Sequence, residues 1–248
     1  MNKVALITGL SRSIGAATAV RLATDGFDIC VNYMSNETAA NEVVSQIQKL
    51  GLKAIAVMAD VSKEQDVVKL FKMLDTQFGR LDAMVNNAGI LLPQIRVENV
   101  TEERVNKLLN SNVTSYFLCC REAVKRMSNK YGGNGGTIVN VSSAAARLGS
   151  GGEYVDYAAT KGAIDTLTLG LATEVAAEGI RVNGVRPGFI YTDMHRDGGE
   201  PGRVDRIKNH LPLQRGGQIK EVAAAIAWLV SDESSYTAGS FIEVAGGR

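Results

Sequence analysis

The chain predicts an α/β fold: a doubly wound parallel sheet, with right-handed crossovers and helices on both faces. Two observations carry the prediction. Short continuous apolar runs rich in Val and Ile recur along the 248 residues, as strands buried on both faces require. Between them, apolar residues return every three or four positions, the mark of a helix with one buried stripe. With only 4 prolines, scattered glycines and no Pro/Ser-rich linker, residues 1–248 are expected to form a single domain.

VALI (4–7) reads as the first strand and runs directly into a glycine-rich turn, TGLSRSIG (8–15), with a helix beginning near Ser13. FDICVNY (27–33), AIAVMA (54–59), LDAMVN (81–86), TIVNV (137–141), IRVNGV (180–185) and FIEVA (241–245) read as the later strands. Val43, Ile47 and Leu50 mark one intervening helix, and Val67, Phe71 and Leu74, with Phe78 a turn further on, mark another. Val222, Ile226 and Leu229 repeat that spacing near the end of the chain. Thr192 to Pro212 carries no strong pattern. A loop of that length is either a lid over a ligand site or a solvated surface excursion.

Composition excludes several classes. A formal net charge of +1 gives no reason to expect nucleic acid or an anionic membrane as partner. No apolar run approaches the roughly 20 residues that span a bilayer. A first strand starting by Lys3 leaves no room for a signal peptide, so a cytoplasmic protein is expected. Cys30, Cys119 and Cys120 have no metal-ligand spacing and read as reduced, buried residues. Two histidines, His195 and His210, argue against a zinc site and against most Ser-His hydrolases. No G-x-S-x-G is present, and no metal is expected.

Two features carry chemistry. The turn Gly9 to Gly15 departs from G-x-G-x-x-G, yet the helix after it would aim unpaired N–H groups and a positive dipole end at an anion. A phosphate site and a simple packing turn remain equal readings of this loop alone. Tyr157 and Lys161, four apart, lie on one helix face. An ammonium beside a phenol lowers the phenol pKa from about 10, making Tyr157 a candidate general acid/base.

With these features in order and Asn86-Asn87-Ala88-Gly89 between them, the sequence resembles the short-chain dehydrogenase/reductase family, from VALITG to the terminal IEVAGG. The family turn T-G-x-x-x-G-[IL]-G accounts for the spacing: Thr8, Gly9, Ile14 and Gly15 match, and Ser13 replaces the middle glycine. Serine is small and caps helices well, so it costs something only if the backbone there needs a positive φ. The resemblance implies a Rossmann-like sheet and hydride transfer between a nicotinamide and a carbonyl or secondary alcohol carbon. It also implies a homo-oligomer, a tetramer above all.

By resemblance, Gly9, Ser11, Arg12, Ser13, Ile14 and Gly15 cradle the cofactor, and Asn32, Tyr33 and Ser35 lie beside its ribose. Asp60 with Val61 touches the adenine, unless Asp60 is only a helix N-cap. Asn87, Ala88 and Gly89 line the cofactor, and Pro187, Gly188, Ile190 and Thr192 hold the carboxamide end. Tyr157 protonates the developing alkoxide, Ser143 donates a second hydrogen bond to it, and Lys161 lowers the tyrosine pKa and holds the ribose. Asn112 kinks a helix and holds a water that resupplies the proton. The spacing 157 − 143 = 14 is one longer than the family pattern, implying a bulge in RLGSGGEYV and leaving Ser142 as the alternative serine.

The second strand ends VNYMS, with no acid before Glu37 to bind a ribose 2′-hydroxyl, and Arg12 could reach a 2′-phosphate. NADP(H) is therefore expected over NAD(H). VNYMSNE and GEYVDYAATKGAID resemble bacterial glucose-1-dehydrogenase-like members more than the nearby 3-oxoacyl-carrier-protein reductases. Glu178, before Gly179, is an acid where docking of an acidic carrier would favour a base. A sugar or other small polyol or carbonyl compound is the expected substrate. The alternative is an NADP(H)-binding sensor or scaffold without turnover, against which Ser143, Tyr157 and Lys161 are all present. YFLCC (116–120) and AIDTLTLGLA (163–172) face either partner subunits or the core.

Overall fold

Seven strands and ten α-helices alternate along the chain in the computed structural model, which describes residues 2–10 and 13–248. The strands are β1 (Val4–Ile7), β2 (Asp28–Tyr33), β3 (Ala54–Met58), β4 (Ala83–Asn86), β5 (Gly136–Val141), β6 (Ile180–Pro187) and β7 (Phe241–Val244). They form one sheet in the order β3-β2-β1-β4-β5-β6-β7, parallel throughout.

The longer helices are α1 (Ile14–Thr24), α2 (Glu37–Gln48), α3 (Glu64–Phe78), α4 (Glu102–Leu109), α5 (Ser115–Met127), α7 (Val155–Val175) and α10 (Ile219–Val230). Three short ones, α6 (Ala145–Leu148), α8 (Met194–Asp197) and α9 (Arg203–Ile207), lie in the connections.

Strand alternation divides the core in two. Ala5, Ile7, Ile29, Val31, Val85 and Val139 pack with α1, α2 and α10; Leu6, Cys30, Met84, Ile138 and Val182 pack with α3, α5 and α7. Both faces of the central strands are covered, which is why their sequences are continuously apolar. The order reverses between β1 and β4, and a sheet of this kind binds ligands at the carboxyl ends beside such a switch point.

Two expectations need correction, and one open reading divides. Leu50 lies beyond α2, which stops at Gln48, and is half-exposed; the chain turns at Gly51, whose φ is +81°. Residues 192–212 are not patternless loop but hold α8 and α9, too short to show periodicity, anchored by buried Val204, Ile207 and Leu211. The two apolar segments divide between the readings offered for them: Tyr116, Cys119, Cys120, Ile164 and Ala172 are core, whereas Phe117 and Leu169 are half-exposed. All three cysteines are free and buried, and burial pushes the Cys30 and Cys120 thiols up to about 12. Among the described residues, no helix is long and apolar enough to cross a membrane.

Candidate active site

The turn after β1 is sewn to the end of β4. Thr8 Oγ1 accepts from the backbone N–H groups of Asn87 (3.1 Å) and Ala88 (3.2 Å), and Asn87 Nδ2 donates to the carbonyls of Thr8 (2.9 Å) and Gly9 (3.0 Å). Glycine at position 9 follows from this closeness: its φ is +70°, and a Cβ there would fall 2.6 Å from Ala88 Cα. Asn32 is 2% exposed, and its Oδ1 accepts from Gly9 N (3.3 Å) while its Nδ2 donates to Ala59 O (2.9 Å). Its side chain therefore braces the turn from behind, and a ribose contact expected of that side chain is not what its geometry offers. Tyr33 is buried as well, and Ser35 is exposed at the strand end.

Ser13 precedes α1 with φ 68° and ψ −131° and makes no side-chain capping bond. The condition under which serine is costly here, a positive φ, is thus met, and the side-chain cap expected of it is absent. Ser11 and Arg12 lie outside the described residues. The first N–H groups of α1 find no acceptor among the described residues, and its first turn holds no acid. That end suits an anion.

Asp60 follows β3. Its Oδ1 accepts from Ser62 N (3.1 Å) and Ser62 Oγ (2.7 Å), and Lys63, not Asp60, is the N-cap residue of α3. Val61 beside it is buried.

The catalytic candidates converge where β5 ends. Ser142 Oγ lies 2.6 Å from Asp165 Oδ1 and 3.2 Å from Lys161 O, so it serves to hold α7 to the sheet. Ser143 accepts from Ala145 N (3.1 Å) and lines the same cavity as the Tyr157 phenol, whose pKa its hydroxyl lowers. Of the two serines, the structure places Ser143 beside the phenol. Lys161 is 3% exposed; its Nζ donates to Val141 O (2.8 Å), lies 3.4 Å from Tyr116 Oη, and sits 5.8 Å from the Tyr157 ring centroid.

Burial brings Lys161 down to about 8, with Asp165 acting the other way. Burial also pushes Tyr157 up to about 12, opposed by the Ser143 hydrogen bond. The sequence led to a lowered phenol pKa. In the protein alone it is raised, because the amine lies over the ring rather than at the hydroxyl, and desolvation of the phenolate dominates.

Asn112 is fully buried in a π-helical turn, Asn110–Thr114, between α4 and α5, so the expected irregularity is present. Its Oδ1 accepts from Ile90 N (2.8 Å), and its Nδ2 donates to Ile90 O (3.0 Å) and lies 3.2 Å from Thr160 Oγ1. Gly89 fits against it: a Cβ there would be 3.3 Å from Asn112 Oδ1 and 3.8 Å from Lys161 Nζ.

Ser143, Tyr157, Lys161, the segment Pro187 to Ile190 and Thr192 line one cavity at the strand ends. Its other wall was missed from the sequence: Tyr154, Met194, His195 and Arg203. Arg203 is 6% exposed, pairs with Glu153 and with Glu200 (2.9 Å), and lies 4.9 Å from the Tyr154 ring centroid. His195, one of only two histidines, was the available signal. No group of three or more potential metal ligands occurs among the described residues.

A doubly wound sheet with a hydroxyl pair and a buried amine at its carboxyl edge is the architecture of an α/β oxidoreductase. Residues 9–248 match the family model described as enoyl-(acyl carrier protein) reductase. The chain is 63% identical over 245 residues to the uncharacterized oxidoreductase YgfF of Escherichia coli, covering 99% of each. It is 35% identical over 247 residues to the 3-oxoacyl-[acyl-carrier-protein] reductase FabG of Staphylococcus epidermidis, covering 100% of this chain and 99% of that one. Among solved structures, a blue fluorescent protein from a metagenomic library in complex with NADPH superimposes with TM-score 0.90 at 34% identity, covering 99% of this chain and 97% of that one. A short chain dehydrogenase from Burkholderia cenocepacia in complex with NADP gives the same TM-score of 0.90, identity of 34% and coverage of 99% and 97%. The chain belongs to the short-chain dehydrogenase/reductase family and is an oxidoreductase.

Proposed function

We propose that this protein interconverts a carbonyl compound and a secondary alcohol with NADP(H), taking a small substrate such as a sugar or other polyol. One observation carries the reading: two neighbouring hydroxyls, Ser143 and Tyr157, line one cavity together with a buried lysine, Lys161. The residues present fit a dinucleotide. Among the described residues, the first N–H groups of α1 find no acceptor and are free to meet a phosphate, and Lys161 touches no carboxylate, so it can serve a polar ligand.

When bound, the nicotinamide supplies or accepts the hydride. The rest falls to the chain. Tyr157 Oη gives its proton to the substrate oxygen on reduction and takes it back on oxidation, and Ser143 Oγ steadies that oxygen. A phenol near 12 is a poor base, so the oxidative direction needs Lys161 charged, and a neighbouring anionic ligand favours that charge. Asn112 fixes Ile90 and the Gly89 approach, keeping the backbone beside Lys161 in place.

Preference for NADP(H) follows from the acid-free end of β2 together with Arg12, and the NADPH and NADP complexes of the two solved relatives support it. Residues 192–212 act as the lid, with Met194, His195 and Arg203 in the cavity wall. Half-exposed Phe117 and Leu169 offer contact surface for a homo-oligomer. Reduction of a ketone and sugar panel with NADPH and with NADH tests the reading. A higher kcat/KM with NADPH is expected, falling by about 10²–10⁴ in Tyr157→Phe with NADPH affinity retained. Near-normal turnover of that variant would refute the assignment.

A further inference from the structure

The wall that sequence reasoning missed has a chemical signature of its own. His195 lines the cavity, and its Nε2 lies 3.1 Å from the carbonyl oxygen of Ile190. A carbonyl oxygen only accepts, so Nε2 carries the ring proton and Nδ1 is left as a bare lone pair. Nδ1 is shielded from solvent and has no hydrogen-bond partner among the described residues. A buried acceptor without a donor is costly, and proteins keep one where something else supplies the donor. Burial also holds the His195 pKa below its ordinary value, which keeps the ring neutral and Nδ1 an acceptor at neutral pH.

Two further features of the same cavity agree. Ser150 lines it at φ 48°, in the left-handed region, and its hydroxyl has no protein partner among the described residues. It lies in the turn between α6 and α7, and it offers a second polar group to a ligand. Arg203, the lid's cation in the cavity wall, is paired with Glu153 and Glu200; Arg206 pairs with the same two acids. Two cations meet two carboxylates, so the lid presents no surplus charge that asks for an acidic substrate.

We propose that His195 is a specificity-determining residue whose Nδ1, covered in the free protein, is uncovered as substrate enters and accepts a hydrogen bond from a substrate hydroxyl other than the one interconverted. The substrate is thereby an uncharged hydroxylated carbonyl compound rather than an apolar ketone or an acidic one. This rests on the carbonyl-reducing role assigned to Tyr157 and deepens it.

An isosteric pair of ketones tests the proposal: 1-hydroxy-2-butanone and 3-pentanone, which differ by OH for CH₃. The wild type is expected to favour the hydroxyketone by about tenfold to a hundredfold in kcat/KM with NADPH, the range set by one unpaired buried polar group. His195→Leu should bring the ratio close to one while leaving NADPH affinity within a few fold. His195→Asn, which keeps an acceptor near Nδ1, should recover part of the preference. A wild-type ratio at or below one, or a ratio unmoved in His195→Leu, overturns the proposal. So does turnover of neither ketone by a protein that still binds NADPH and reduces another carbonyl compound through Tyr157, a result that leaves the broader function standing. Failure to bind NADPH, or turnover indifferent to Tyr157→Phe, removes that function and this proposal together.

Discussion

Replacing Ser13 by glycine should stabilise the protein. At φ 68° and ψ −131° the serine Cβ crowds its own backbone, in a region visited almost only by glycine. Such a residue costs about 1–3 kcal/mol. Glycine removes that cost but frees the unfolded chain, returning about 0.5–1 kcal/mol. No capping bond is lost, since the serine side chain makes none; the contact to its Oγ is a long 3.5 Å bond from Asp193 N. The net gain is roughly 0.5–2 kcal/mol, or roughly 1–8 °C in Tm for a chain of this size. Thermal unfolding of wild type, Ser13→Gly and Ser13→Ala reads it. The alanine variant keeps a Cβ and should stay within about 0.5 kcal/mol of wild type. Strain common to free and bound protein cancels from binding, so NADPH affinity should change little. A Ser13→Gly Tm at or below that of wild type would refute the reasoning.

Gly9→Ala places a Cβ 2.6 Å from Ala88 Cα at φ +70°, and should cost at least about 2 kcal/mol by denaturant unfolding; a neutral result contradicts the packing described. Lys161 binds fewer protons folded than unfolded between about 8, its folded value, and its ordinary 10.5, so its burial weighs on stability least at high pH. The stability of wild type relative to Lys161→Met should accordingly rise by about 2 kcal/mol as pH climbs from 8 to 10; a flat difference sinks the assignment. Arg203→Met leaves Glu153 and Glu200 with the more exposed Arg206 as their one remaining cation, so amide exchange in 194–211 should quicken about tenfold or more and substrate KM should rise. Unchanged exchange there would mean that the pairings do not hold the lid.

The strands were legible because a parallel sheet buries both faces, so VALI or TIVNV can hardly be read another way. Tyr157 and Lys161 were legible because four residues make nearly one helical turn, a purely local relation. The failures were not local. The division of labour between Ser142 and Ser143 depends on which side of β5 faces α7, and α7 is a separate stretch of chain. Arg203 matters through Glu153, fifty residues away, and α9 is too short for any periodicity to announce it. The raised phenol pKa comes from how deeply the completed fold buries Tyr157, which no spacing encodes. At Ser13 the residue was visible but its torsion angle was not.

The π-helical turn at Asn110–Thr114 also bears on how this chain can evolve. It lodges one surplus residue between α4 and α5, and each residue added to or taken from a helix rotates its C-terminal remainder by about 100°. A deletion in α4 has no such turn to absorb it and would swing Cys119, Cys120, Ala123 and Met127 from the interior toward water, whereas loss of the surplus residue itself keeps that face but pulls the Asn112 amide off Ile90. Side chains in this stretch can drift, but its length is locked: insertions and deletions should be purged here long before substitutions are.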